Sequence, residues 1–433
     1  MNIERLFFGT ACAAMSFALA PEALAGGFML QEQSQLEIGR AFSGGAAAAD
    51  SPSTIFYNPA GMTELDGLQI TVGATALFID SSQKNMGTTR SGPGATPAQP
   101  VDGGDGGNPF APVVPVPTSY ASWQVGDSGL WLGLGISAPY GLKLRYDKSY
   151  FGRYESIYSN LLTINAQPSF AYKLNDALSV GGGIDIQYAD VTLTNAGPGL
   201  TPSDPDGLAR VSGDDVAVGW NAGLLLKLEG GVRLGVHYRS RIKYQLKGSY
   251  EISGLTGALA AGNGNYAIRS PLTVPDSVTA SISAPVDDRT RLMLTGRYYN
   301  WSLFENITLR FASGMTGIKE YNYKDSWSVS AGVDRKLNDR MTLRTGAMFD
   351  KSPTNEAFLS TRVPDGDRIW ASAGMSYALT DRMTLNASYA HVFIGRQTME
   401  RTEGFYGGEI SVTTISRNSG NVDMIATSVT TRF

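Results

Sequence analysis

The most constraining feature of this chain is one long stretch of period-two alternation, residues 232–251. Apolar side chains such as Leu234, Val236 and Tyr244 occupy nearly every second position, and charged or polar side chains stand between them. Strands of soluble proteins usually run about five or six residues, far fewer than this stretch. A long strand with one apolar and one charged face suits a wall between lipid and water. The pattern therefore predicts a transmembrane β-barrel.

The connections between such stretches are of two kinds. Six short turns, among them Asn175-Asp176 and Asn338-Asp339, carry residues that favour tight turns. They alternate with seven longer polar segments near 80–116, 145–159, 195–213, 252–266, 311–322, 353–367 and 397–420. Short turns on one side and long loops on the other are typical of outer-membrane barrels. We predict an all-β fold, a 14-stranded antiparallel transmembrane barrel.

The first 25 residues have the pattern of a secretory signal peptide. A largely apolar run over 6–19 follows Arg5, and Ala23-Leu24-Ala25 supplies a small-x-small cleavage pattern. The single cysteine, Cys12, lies inside this segment, so we expect a mature chain without disulfide or thiol chemistry. No later stretch is apolar for about 18 residues, which argues against membrane helices.

Residues 26–66 precede the first predicted strand, 68–79, and are too long to be a simple lead-in. A fourteen-strand barrel is wider than the roughly eight-strand barrel that side chains can fill, and narrower than open porins of roughly 16–18 strands. We therefore predict that residues 26–66 form a hatch, or plug, inside a barrel of residues 67–433. The alternative is a flexible periplasmic tail, since chain termini are often disordered.

Two further features point to function. Pro139 and Gly141 interrupt the strand predicted over 130–146, and such residues break strand pairing or permit a bulge. The break predicts a side door in the wall, or alternatively a harmless bend near a strand end. Arg239, Arg241 and Lys243 share the charged face of 232–251, which we expect to line the lumen. They could bind a carboxylate, or alternatively pair with luminal Asp and Glu.

A set of short motifs carries a family resemblance. They are Gly39-Arg40-Ala41-Phe42-Ser43-Gly44, Ala47-Ala48-Ala49-Asp50, Asn58-Pro59-Ala60, Pro139-Tyr140-Gly141, Gly219-Trp220-Asn221-Ala222-Gly223 and Pro364-Asp365-Gly366-Asp367-Arg368. In order, and over essentially the whole mature chain, the sequence resembles the FadL-type long-chain fatty-acid transporters.

The resemblance implies a fourteen-strand barrel with an N-terminal hatch, apolar ligand pockets, and release of the ligand either sideways into the membrane or past the hatch. It gives hatch or gating roles to Asn58, Pro59 and Ala60 and to Pro139, Tyr140 and Gly141. It also places Lys319 where the family has a carboxylate-binding lysine, whereas Asn195 stands where the family has the partner arginine. That departure favours a neutral ligand. A barrel of this family is expected to work as a monomer.

The leading hypothesis is passive uptake of long-chain fatty acids across a Gram-negative outer membrane. The expected partners are the hydrophobic ligand, outer-membrane lipid and, from the aromatic end at Phe433, the barrel assembly machinery. Uptake of neutral aromatic or alkane hydrocarbons is the first alternative, and a structural or adhesive barrel is the second.

The remaining composition argues against other function classes. The pI near 5.4 and net charge of −4 give no reason to expect a nucleic-acid partner. Only two histidines are present, His237 and His391, without metal-ligand spacing. We therefore expect no cofactor and no enzymatic activity.

Overall fold

A computed structural model describes residues 27–433, which form an antiparallel sheet closed into a barrel. The predicted signal peptide, residues 1–25, lies outside the described residues. In chain order the strands are β1 (Leu68–Asn85), β2 (Thr89–Gly92), β3 (Ala95–Pro100), β4 (Val114–Gln124), β5 (Leu130–Ser137), β6 (Gly141–Arg145), β7 (Tyr158–Lys173), β8 (Leu178–Gly197), β9 (Gly207–Lys227), β10 (Arg233–Arg239), β11 (Ile242–Ser253), β12 (Gly264–Val274), β13 (Ser277–Pro285), β14 (Thr290–Tyr299), β15 (Asn306–Phe311), β16 (Thr316–Glu320), β17 (Ser326–Lys336), β18 (Met341–Asp350), β19 (Arg368–Ala378), β20 (Met383–Phe405) and β21 (Ile410–Arg432).

These segments make a wall of fourteen strands, as predicted. Nine strands are continuous, and five consist of two consecutive segments each: β5/β6, β10/β11, β12/β13, β14/β15 and β16/β17. β2 and β3 form a separate outer hairpin. The barrel closes where β1 pairs with β21, from Gln69↔Arg432 to Asn85↔Ser416.

Helices are short and few. They are α1 (Gln35–Ile38), α2 (Thr54–Tyr57) and 3₁₀ turns at Pro59–Glu64, Glu229–Gly231, Gly257–Gly262, Trp301–Leu303, Glu356–Phe358 and Tyr406–Gly408. Among residues 27–433, no helix has the length and apolar character needed to cross a membrane.

The wall shows the alternation expected of a lipid-facing barrel. In β9, Val216, Val218 and Trp220 are exposed, whereas Ala217 and Gly219 between them are buried. Because successive side chains of a strand point to opposite faces, the exposed apolar set faces lipid and the buried set faces the lumen.

The strands extend further than predicted, so three expected loops are partly wrong. β1 continues past residue 79 to Asn85, and β8 and β9 pair through most of 195–213. β20 and β21 remain paired as far as Phe405↔Ile410, inside the segment expected as a loop over 397–420. Outside the lipid, both faces of a strand can be polar, so backbone pairing continues there without an alternating sequence signal.

The stretch 232–251 was predicted to be one long strand, and this prediction was wrong, because the stretch is divided into β10 and β11. The register against β9 changes from Arg239↔Asn221 to Lys247↔Asp214, which places one extra residue on the β10/β11 side. Ser240 forms the bulge: its backbone N–H donates to the Trp220 carbonyl, and its hydroxyl accepts from the Trp220 N–H. A one-residue shift reverses which face each later side chain occupies.

The N-terminal plug, here residues 27–65, lies within the barrel and is almost entirely buried. A charge cluster fixes it to the wall: Arg40 of the plug contacts Asp334 of β17 at 3.0 Å and Asp50 at 2.7 Å. Arg291 of β14 contacts Asp50 at 2.7 Å and Asp334 at 2.9 Å. These contacts support the predicted luminal position over the alternative of a flexible tail.

Candidate functional site

An apolar cavity lies inside the barrel wall beside the plug. Phe28 of the plug borders it, as does Leu142 of β6. Further aliphatic side chains, including Leu161, Val191 and Leu246, complete its lining. The cavity therefore touches both the plug and the strand interruption that the sequence predicted as a side door.

A second cavity adjoins the first and is more polar. Leu193, Val211, Ile307, Tyr321 and Arg362 line both cavities. Lys319 and Asn195, singled out from the family resemblance, line only the second of these two. The structure thus brings Lys319 and Asn195 together beside the apolar cavity.

Lys319 is already paired with two carboxylates. Its ammonium lies 2.8 Å from Glu155 and 2.7 Å from Glu403, and Arg401 also contacts Glu403 at 3.2 Å. Burial alone would raise the pKa of the Glu155 carboxyl, but Lys319 and Arg401 outweigh burial and hold that pKa well below its usual range. The positive charge of Lys319 is therefore matched from within the protein.

Arg239 lies in the lumen, as predicted, but its side chain contacts the plug. Its guanidinium pairs with buried Asp185, donates to the carbonyl of Phe56 at 2.9 Å and packs over the Phe56 ring at 4.4 Å. These contacts match the alternative stated above, pairing with a luminal acid.

The luminal positions predicted for Arg241 and Lys243 are wrong. Arg241 is half-exposed and pairs with Asp276 at 3.2 Å. Lys243 is exposed between the buried side chains of Ile242 and Tyr244, so it points outward. The bulge at Ser240 is the cause, because it reverses the faces of β11 relative to β10.

The predicted interruption at Pro139 and Gly141 is present between β5 and β6. β5 pairs with both β4 and β7, whereas β6 pairs only with β7 within the described residues. On the side of β4, Pro115 and Pro117 stand opposite this interruption, and both pair with residues of β1. Proline is tolerated in a strand where its nitrogen faces away from the paired neighbour, so these residues offer no donors toward the interruption at residues 138–140.

The plug covers this interruption with backbone hydrogen bonds. Leu30 N–H donates to the Pro139 carbonyl at 2.8 Å, and Gly141 N–H donates to the Phe28 carbonyl at 2.9 Å. Met29 and Tyr140 face each other in an isolated antiparallel bridge. Three residues of the plug thus supply the pairing that the wall lacks at this point.

The Asn58-Pro59-Ala60 motif docks on glycines of the wall. Asn58 donates to the carbonyls of Ala46 at 2.7 Å and Leu224 at 2.9 Å. A Cβ on Gly223 would lie 1.9 Å from the Asn58 Oδ1, and one on Gly181 would lie 2.4 Å from the Ala60 nitrogen. The glycines are needed because the plug backbone lies directly on the strands.

Sequence reasoning missed four members of the charged site, Glu155, Glu403, Arg401 and Arg362. All four lie in stretches that were predicted as exterior loops. Arg362 stands two residues before the Pro364-Asp365 motif, which was noted only for its resemblance. Nothing in the local pattern distinguished these charges from solvated loop residues.

Comparison with known proteins settles the family. The model of the "Outer membrane protein transport protein (OMPP1/FadL/TodX)" family matches residues 16–433. The chain belongs to this family. As a member of the OMPP1/FadL/TodX family, it is a protein of the Gram-negative outer membrane, as predicted.

Among similar OMPP1/FadL/TodX proteins, a long-chain fatty acid transport protein of Salmonella typhi is 30% identical over 94% of this chain and 96% of its own. A 47 kDa outer membrane protein of Pasteurella multocida is 29% identical over 92% of this chain and 94% of its own. A Pseudomonas aeruginosa FadL homologue has a similar structure, with a TM-score of 0.85, 25% identity, and coverage of 94% of this chain and 100% of that one.

Proposed function

We propose that this protein takes up long-chain fatty acids across the outer membrane by passive diffusion. The apolar cavity carries the proposal, because it is bordered by the plug at Phe28 and by the interrupted strand at Leu142. Membership of a transport family and similarity to fatty-acid transport proteins support it. We expect no enzymatic activity.

In the proposed path, the ligand enters from outside and occupies the two adjoining cavities. Burying a methylene is worth about 0.8 kcal/mol, so a chain of roughly sixteen carbons could gain on the order of 12 kcal/mol before costs. A single site with all of that gain would release its ligand slowly. Adjoining sites that each bury part of the chain favour transport over storage.

Release is proposed to be lateral, through the interruption between β5 and β6 into the membrane lipid. The motion required is a shift of residues 28–30 away from Pro139 and Gly141, since their hydrogen bonds now cover the gap. Domain limits of 1–25 for the signal peptide, 26–66 for the hatch and 67–433 for the barrel belong to this proposal. So does insertion by the barrel assembly machinery.

A second candidate function, uptake of neutral hydrocarbons, has one observation in its favour. Asn195 replaces the arginine of the family pattern, and Lys319 is neutralised by Glu155 and Glu403. A site made of Lys319, Glu155 and Glu403 alone would have no positive charge left for a carboxylate.

Competition for a fluorescent fatty acid distinguishes the two functions. The full mature barrel is purified, loaded with the probe and titrated with oleate or toluene. Displacement by oleate at lower concentration than toluene is expected for a fatty-acid transporter. Displacement by toluene but not by oleate would replace the proposal with hydrocarbon uptake.

A further inference from the structure

Resting on the proposed fatty-acid uptake, we infer that Arg362, and not Lys319, binds the ligand carboxylate. Arg362 belongs to the segment between β18 and β19, and its side chain lines both the apolar cavity and the polar cavity beside it. It is thus placed where an apolar chain in the first cavity would end in a polar headgroup.

The contacts of Arg362 leave its charge unmatched. One terminal nitrogen donates to the Ser159 hydroxyl at 3.0 Å and the Tyr158 carbonyl at 3.2 Å, and the other donates to the Glu155 carbonyl at 2.9 Å. All three acceptors are neutral. Across residues 27–433, no carboxylate forms an ion pair with this guanidinium.

The charge balance of the site points the same way. Lys319, Arg401 and Arg362 carry three positive charges, and Glu155 and Glu403 carry two negative charges when both are ionised, so the cluster has at least one positive charge in excess. Because Lys319 and Arg401 are paired with the two acids, the excess resides on Arg362. With both acids ionised, one monovalent anion would neutralise the cluster.

Burial makes this excess charge consequential. Arg362 is only 5% exposed, so little water screens its charge. A buried cation without an anionic partner is costly, and hydrogen bonds to charged groups are stronger than neutral ones. The guanidinium also presents a rigid fork of donors that matches a carboxylate. The bound chain would extend from Arg362 along Leu161, Val191 and Leu246 toward Phe28.

This inference restores a fatty acid as the better ligand. The chain has Asn195 where the family pattern has an arginine, but Arg362 lines the same cavity as Asn195 and comes from a different segment. The positive charge is therefore kept at the site although its position in the sequence has changed.

The test measures the dissociation constants of oleate and oleyl alcohol for the full mature barrel in an uncharged detergent. Arg362→Gln removes the charge and should weaken oleate binding about 10- to 100-fold, while oleyl alcohol binding changes little. Arg362→Lys keeps the charge and should retain the preference for oleate. The double variant Lys319→Gln/Glu403→Gln removes one cation and one acid, keeps the excess charge, and should still bind oleate.

Three results would overturn the inference: equal losses for oleate and oleyl alcohol in Arg362→Gln, unchanged oleate binding in that variant, or loss of oleate binding in the double variant alone. If Arg362→Gln does not fold, the unmodified protein and the double variant decide together, since both should bind oleate more tightly than oleyl alcohol, and oleylamine least. Equal affinities there would also overturn it. Failure of the unmodified protein to bind either oleate or oleyl alcohol would instead remove the proposed function itself.

Discussion

At the scale of single residues, a buried acid without a partner stands out in the plug. Glu32 is completely buried, and neither carboxylate oxygen has a hydrogen-bond partner of acceptable geometry among the described residues. Burial raises the pKa of Glu32 from 4.5 to about 7, although Arg368 opposes the shift. The neutral acid is thus the form that the folded plug prefers.

We expect Glu32→Gln to stabilise the protein in a pH-dependent way. The folded pKa lies above the unfolded value, so the stabilising contribution of Glu32 is complete below about pH 4.5 and lost as the pH rises to about 7. At pH 8 the variant should be more stable by up to about 3 kcal/mol, and near pH 4 the difference should vanish. Thermal unfolding of both proteins, followed by gel mobility, measures this difference. A stability difference between the two proteins that is the same at pH 4 and pH 8 would contradict the raised pKa of Glu32.

At the scale of strands and loops, the plug rests on glycines that leave no room for a methyl group. Gly223→Ala would place a Cβ 1.9 Å from the Asn58 Oδ1, and Asn58 would lose its bonds to Ala46 and Leu224. We expect a loss of about 1–3 kcal/mol in stability. The matched control is Gly296→Ala, because a Cβ there meets nothing within 4 Å. Equal melting temperatures for the two variants would argue against tight docking.

The sequence was informative wherever lipid imposes alternation. It predicted fourteen strands, the plug and the break near Pro139, since each has a local pattern of apolar, small or ring-constrained residues. It did not reveal the bulge at Ser240, which reverses the face of Lys243 without interrupting the alternation. It also missed the pairing of Lys319 with Glu155 and Glu403, because contacts between distant loops leave no periodic signal.

At the scale of the whole molecule, the proposed lateral release requires the plug and the wall to separate at one place. Backbone hydrogen bonds join Phe28 to Gly141 and Leu30 to Pro139, one on each side of the Met29–Tyr140 bridge. Met29 and Tyr140 are therefore a non-hydrogen-bonded pair, whose Cα atoms lie close together. That spacing, about 4.5 Å, falls within the range for a disulfide.

Met29→Cys/Tyr140→Cys should therefore form a disulfide that stops oleate uptake when oxidised and restores it when reduced. The matched control is Thr63→Cys/Ser179→Cys, where the two native hydroxyls lie 2.8 Å apart at the other end of the plug. Oxidation of the control pair is expected to leave uptake unchanged. Uptake that continues with residues 29 and 140 cross-linked would exclude a moving N-terminal segment.

The position of the plug in the chain also constrains biogenesis. The plug precedes β1, yet Arg40 reaches Asp334 and Gly27 N–H donates to Asp365 at 2.8 Å, far along the chain. The final seam, between β1 and β21, closes beside the point where the plug ends. A newly made barrel that closes around an occupied lumen never exposes the cell to a hole of full barrel width. Closure in that order would protect the permeability barrier of the outer membrane during assembly.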